Sequence, residues 1–149
     1  MADIFTKKKR SEIMSKISGK ETKPEILVRK FLFANGFRYR KNDKRYPGKP
    51  DIVLPKYKTV IFVHGCFWHG HNCPAGKLPE TRKEFWKNKI QGNIERDNKN
   101  KIELEKKGWR VITIWQCELK NKKIQEKTLI NLTNTLHNNV SYVKPSLKP

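Results

Sequence analysis

Five side chains able to bind a metal or move a proton stand between positions 64 and 73: His64, Cys66, His69, His71 and Cys73, with Cys117 farther along the chain. Structural zinc takes four Cys or His ligands in a tetrahedron, often from one loop plus a distant element. The three cysteines plus one histidine would fill such a site. Spacing alone leaves His64, His69 and His71 open as the fourth ligand. The plainer reading is three buried thiols among surface histidines. It sits poorly with the composition of this loop, which has little apolar content to fold on, whereas zinc supplies folding energy directly. Three cysteines are an odd count, and the N-terminus has no apolar segment after its charges to act as an export signal. A disulfide framework is therefore not expected.

Three carboxylates form a second group. Asp51 follows Lys49-Pro50 at the start of an apolar stretch, where an unpaired acid is unwelcome. It opens a hairpin that ends at His64, so antiparallel pairing can bring it towards Val63 and His64. A Pro-Asp before a strand, with a polar residue closing the next strand, is the skeleton of the restriction-type nuclease core. There the acid binds magnesium, which polarises a phosphate and activates water. The usual Glu-x-Lys of the second strand is missing, and Val63-His64 stands in its place. The alternative is Asp51 as a turn or cap residue. Glu25 completes Thr22-x-x-Glu, a capping box that could account for it fully. Asp97 lies three residues after Ile94 and so points towards the buried face of its helix. A carboxylate there needs a partner: a histidine, or one of the many lysines.

The elements that must hold these groups can be read in order. Lys7 to Ile17 carries Ile13, Met14 and Ile17 at helical spacing, and Gly19 ends it. Thr22-Lys23-Pro24-Glu25 starts a helix that stops at Asn35-Gly36. Phe37 to Arg40 reads as a short strand and Tyr46 to Pro50 as a turn. Asp51–Leu54 and Thr59–His64 read as strands joined through Pro55 to Lys58. The second is apolar almost throughout, as suits a central strand buried on both faces. Gly65 to Arg82 is irregular, an unusual length for a loop unless function or metal holds it. Glu84 to Lys107 is a long helix with a Trp86-Ile90-Ile94 stripe. Trp109 to Trp115 is a strand, Ile124 to Leu136 a helix, and a Pro-containing tail follows. The fold class expected is α/β (α+β), a mixed central sheet flanked by helices.

The chain has 149 residues, enough for one domain, and a formal net charge of +20. The excess is spread along its length: 15 positive and 5 negative charges in residues 1–50, 9 and 5 in 51–100, and 10 and 4 in 101–149. A body this basic opposes its own folding, and a polyanion relieves that repulsion. Nucleic acid is the expected partner. No apolar run approaches the length of a membrane span, so a membrane protein is not expected and the cytosol is.

Taken together the residues resemble the very-short-patch-repair (Vsr) DNA mismatch endonucleases, from Thr6 to about Leu119. The most specific matches are Pro47-Gly48-Lys49-Pro50-Asp51, Val60 to His69, Thr81-Arg82-Lys83-Glu84-Phe85-Trp86, Asn93-Ile94-Glu95-Arg96-Asp97 and Gly108-Trp109-Arg110-Val111. The resemblance implies a restriction-endonuclease-like fold with a structural zinc site, in a domain spanning 21–138. A DNA-contacting arm (1–20) precedes it and a frayed tail (139–149) follows. It implies an Mg²⁺-dependent enzyme that nicks one strand beside the T of a T:G mispair, the product of 5-methylcytosine deamination. On this chain the family's catalytic groups fall on Asp51, His64, His69, Glu25 and Asp97. One or two magnesium ions fall to Asp51 and the main-chain carbonyl of Val63. Zinc falls to Cys66, His71, Cys73 and Cys117, and the DNA-intercalating wedge to Phe67, Trp68, Trp86 and Met14. The partners implied are double-stranded DNA with a T:G mismatch and other mismatch-repair proteins, for a nucleoid-associated, cytoplasmic monomer. Position 63 is often Thr in the family and is Val here, a change that a backbone carbonyl ligand tolerates. Position 70 is Gly where a further His can stand. Two rival readings are a Vsr-like nicking enzyme with a homing or restriction-linked role on matched DNA, and an inactive zinc-stabilised DNA-binding module.

Overall fold

The computed structural model describes residues 22–138. The helix read at Lys7 to Ile17, with Met14, and the tail from 139 onward lie outside the described residues. Helix α1 (Lys23–Ala34) begins on the capping box that the sequence announces. The Thr22 hydroxyl accepts from the Glu25 amide at 3.4 Å, and the Glu25 carboxylate accepts from the Thr22 amide at 3.3 Å. The helix ends at Asn35-Gly36, where Gly36 takes a φ of +86°.

Strands β1 (Arg40–Lys41), β2 (Ile52–Leu54), β3 (Thr59–His64) and β4 (Arg110–Trp115) form one sheet in the order β1-β2-β3-β4. Strand β1 is shorter and later than the stretch Phe37 to Arg40 that sequence points to. Phe37 is spent on closing the helix instead. Its amide donates to Leu32 O at 3.0 Å, and its ring is buried against Tyr57 and His137. β2 and β3 pair antiparallel with Ile52 opposite Ile61 and Leu54 opposite Thr59. β3 and β4 pair parallel from Thr59–Arg110 to His64–Trp115. Parallel neighbours need a long crossover, and helix α2 (Lys83–Lys106) supplies it. Helix α3 (Lys122–Asn138) closes the fold.

The alternation of side chains across the sheet divides the core in two. On one face Ile52, Leu54, Ile61, Ile112 and Ile114 pack with Val28 and Leu32 of α1 and Leu129, Leu132 and Leu136 of α3. On the other, Val53, Val60 and Phe62 pack with Leu104 of α2. The result is helices on both sides of a mixed sheet. β3 is buried on both faces, as its unbroken apolar run requires. This topology places the start of β2 beside the ends of β3 and β4, so the residues at those three termini share one end of the sheet. Among the described residues no helix is long and apolar enough to cross a membrane.

Candidate active site and metal centre

Asp51 stands at that end, one residue before β2. Its Oδ2 accepts a hydrogen bond from the Val63 amide at 2.7 Å, across the hairpin. Burial pushes the Asp51 carboxyl up from 3.8 to about 6. The Val63 amide works against that shift, the charge of Glu25 adds to it, and the charges of His69 and Arg29 oppose it. Glu25 and Arg29 are themselves buried, at 2% and 6% exposure, and pair one helical turn apart at 3.3 Å. Half-buried Asp51 and the buried Glu25–Arg29 pair of α1 thus feel one another's charge, and the two carboxylates offer hard oxygens of the kind that hold Mg²⁺.

His64, the last residue of β3, lies face to face with His69, their ring centroids 3.7 Å apart and their planes 3° from parallel. Burial, then the neighbouring His69, holds His64 down at about 4, with Asp97 pulling the other way. His64 is therefore neutral at neutral pH. Its Nδ1 is buried and has no hydrogen-bond partner among the described residues. His69 Nδ1 meets Asp97 Oδ2 at 2.6 Å. Asp97 comes from the middle of α2, on the face that the Ile90-Ile94 stripe turns inward, and its partner is a histidine rather than a lysine. An ionised Asp97 accepts the Nδ1 proton and so leaves the lone pair of His69 on Nε2. Ligand atoms of His64, His69 and Asp97 lie within 4.8 Å of one another. Chemically, such a group can hydrogen-bond and pass a proton. A cleft of about 400 Å³ between α2 and the sheet exposes it, lined by His64, His69, Asp97, Lys101, Thr113 and Trp115.

The loop after β3 gathers Cys66, His71 and Cys73, and the chain just past β4 brings Cys117 to them. One ligand atom from each lies within 4.8 Å of the others, and Cys117 Sγ is 3.5 Å from His71 Nδ1. A tetrahedral zinc with bonds of about 2.0–2.3 Å sets its ligand atoms about 3.3–3.8 Å apart, so the four fit a tetrahedral ion with little movement. Without a cation, burial pushes Cys117 up to about 12 and raises Cys66 as well. Cys73 lies below the ordinary thiol value although burial opposes it, because the Cys66 thiol and the Gly76 and Ala75 amides hydrogen-bond to it. Three sulfurs cannot all ionise side by side without a metal. The His71 ring stacks on Trp115 at 4.1 Å. A Cβ at Gly76 would stand 2.0 Å from the His71 carbonyl oxygen, so only glycine permits the loop to close this tightly. Of the three histidines that spacing left open, His71 joins the cysteines, while His64 and His69 stand together apart from them.

Between the two clusters the loop presents Phe67 and Trp68. Their rings meet edge-on at 5.1 Å, and Trp86 of α2 contacts both, at 5.3 and 5.8 Å. Trp68 is 48% exposed. Trp86 begins the stripe that continues into buried Ile90, yet its ring joins this partly exposed aromatic group. Phe85 extends the group, edge-on to Trp86 at 5.2 Å with Arg82 over its outer face at 4.2 Å. Neither Phe85 nor Arg82 is singled out by residue type and spacing; the signal for them is the aromatic pair at the start of a helix.

Residues 2–75 match the family model described as DNA mismatch endonuclease Vsr. The chain is 62% identical over 136 residues to the type II nicking enzyme V.NmeAIP of Neisseria meningitidis, covering 91% of this chain and 97% of that one. It is 43% identical over 132 residues to the type II nicking enzyme V.XorIIP of Xanthomonas oryzae, covering 89% and 97%. To the DNA mismatch endonuclease Vsr of Escherichia coli it is 42% identical over 123 residues, covering 83% and 79%.

Proposed function

The chain belongs to the Vsr family of DNA endonucleases, and from that premise we propose that it nicks one DNA strand beside the thymine of a T:G mispair. The observation that carries this reading is the placing, at one end of the sheet, of half-buried Asp51 with the His64–His69–Asp97 group. A carboxylate for metal and an oriented imidazole for a proton are the two parts that metal-assisted phosphodiester hydrolysis needs.

Asp51 and the main-chain oxygen of Val63 would hold one or two Mg²⁺ ions, with Glu25 supporting them. When bound, Mg²⁺ would stabilise the charge developing on the phosphate and the leaving oxygen. His69, held through Nδ1 by Asp97, offers Nε2 as general base to the attacking water. His64, neutral and packed on His69, stands beside the phosphate as a proton carrier. Cys66, His71, Cys73 and Cys117 would hold one structural Zn²⁺ and so fix the loop that carries His69. Phe67, Trp68 and Trp86 form the wedge, with Met14 of the N-terminal arm entering from the other groove. A T:G pair stacks weakly, so a wedge enters there at lower cost than at a matched step. The enzyme would work as a monomer in the nucleoid, alongside other mismatch-repair proteins.

The relatives named as type II nicking enzymes favour a second reading, a restriction-linked role on matched DNA. One assay separates the two: nicking of a T:G duplex and of its matched twin in Mg²⁺, over a library of flanking sequences. A Mg²⁺-dependent nick that strongly favours the mismatched duplex over a small residual rate on its twin is expected. Equal nicking of both duplexes supports the restriction-linked role, and binding without any product returns the chain to an inactive DNA-binding module.

A further inference from the structure

Trp68 and His69 are consecutive residues, and α2 holds both. Asn93 Nδ2 donates to the Trp68 carbonyl oxygen at 2.9 Å, and Asp97 holds the His69 ring at 2.6 Å. Asn93 and Asp97 are one helical turn apart, so their side chains lie one above the other on the same face. Arg96 fixes the Asn93 amide from the other side, donating to its Oδ1 at 3.2 Å. That contact sets which end of the amide faces the loop: Oδ1 accepts from Arg96, and Nδ2 is left to donate to Trp68. Beyond His69 the loop is seated again. Gly70, at a φ of +64°, lies so close to α2 that a Cβ would stand 2.5 Å from Ile94 and 2.8 Å from Ile90. The peptide unit joining the exposed indole to the imidazole is therefore gripped on one side by Asn93, while the imidazole itself is gripped by Asp97.

We propose that Asn93 is a positioning residue that couples the aromatic wedge to the His69 imidazole, so that entry of Trp68 beside a mismatch sets His69 for proton abstraction. The inference rests on the wedge and general-base reading given above and adds to it the means by which recognition licenses cleavage. The Trp68 carbonyl belongs to the same rigid peptide plane as the His69 amide. A movement of the indole turns that plane, and the Asn93 bond limits the turn to one that keeps His69 on Asp97. Without the bond the plane keeps only the hydrogen bond from the His69 amide to Gly65 O at 3.2 Å, its carbonyl side is released, and wedge insertion no longer fixes the ring. A misplacement of about 1 Å in a reacting group costs about 10²-fold in rate, so loss of this coupling is measurable.

The test is single-turnover nicking at saturating enzyme, on a T:G duplex and its matched twin, for the wild type, Asn93→Ala, Asn93→Asp, Asn93→Gln and Asp97→Asn. Thermal melting and DNA affinity are recorded for each. Asn93→Ala and Asn93→Asp are expected to lose ~10-fold or more in rate on the mismatched duplex and to keep their residual rate on the matched one. Selectivity then collapses while affinity holds. Asn93→Gln retains the amide donor and is expected to recover part of the selectivity. Asp97→Asn is expected to slow both duplexes alike and leave their ratio intact, since it acts on the imidazole rather than on the link to the wedge. A mismatch-to-matched ratio in Asn93→Ala equal to that of the wild type overturns the proposal, whatever the absolute rate. A wild type that nicks both duplexes alike overturns the mismatch reading itself and this inference with it. The two failures are thus told apart by the wild-type ratio.

Discussion

At the scale of single residues, the site works by opposed electrostatics. Replacing Asp51 by Ala is expected to lower nicking on the order of 10³-fold or more while DNA affinity, read by a gel-shift titration, stays near wild type. Burial moves Asp51 up from 3.8 to about 6 and His64 down from 6.5 to about 4. For Asp51, whose folded value is raised, the associated stability is present below its unfolded value and is lost as pH rises through 6. For His64, whose folded value is lowered, stability is present above 6.5 and is lost as pH falls through 4. Each effect is worth about 3 kcal/mol, and they oppose one another across the same window. Metal-free wild type should therefore show little slope from these two groups between pH 4 and 6.5. Asp51→Asn removes one side of the balance, so its unfolding free energy, measured by urea titration, should climb by about 3 kcal/mol over that range. A flat profile in the variant would contradict the assignment.

At the scale of elements, the decisive feature is how the loop after β3 is held. Gly70→Ala places a methyl against Ile90 and Ile94 in a left-handed backbone conformation. A loss of about 1–3 kcal/mol is expected, with nicking falling more steeply than stability because His69 is the preceding residue. Cys117→Ser removes the proposed fourth zinc ligand, which joins the loop to the end of β4. Bound metal per chain, read by elemental analysis, should fall together with at least about 3 kcal/mol of stability. Much of this scale was legible in the sequence. The capping box and the Asn35-Gly36 stop fixed both ends of α1, and the apolar run of β3 announced a central strand. A hairpin with a short connection brought Asp51 towards Val63 and His64, and the register that sets it on the Val63 amide came from the structure. That Asp97 needs a partner followed from its place beside Ile94, and the structure chooses a histidine over the lysines that residue type left open. What stayed hidden depended on long-range partners. Phe37 looks like strand until its amide is seen closing α1. Asn93 is an ordinary polar helix residue until its acceptor, a main-chain oxygen 25 positions away, is known. Backbone acceptors leave no signature in residue type.

At the scale of the whole molecule, charge governs the encounter with substrate. A net charge of +20 spread over the entire chain predicts strong counterion release on DNA. Affinity for a matched duplex should fall by about 10²-fold or more between 50 and 200 mM salt, and a shallow salt slope in a filter-binding titration would count against a broad phosphate-contacting face. The parallel pairing of β3 with β4 has one more outcome, which concerns synthesis on the ribosome. The first three members of the thiol–imidazole cluster emerge early, but the fourth belongs to a segment made more than forty residues later. A fragment released before that segment is made therefore lacks the fourth side chain of the cluster, and with it the link between the loop after β3 and the end of β4.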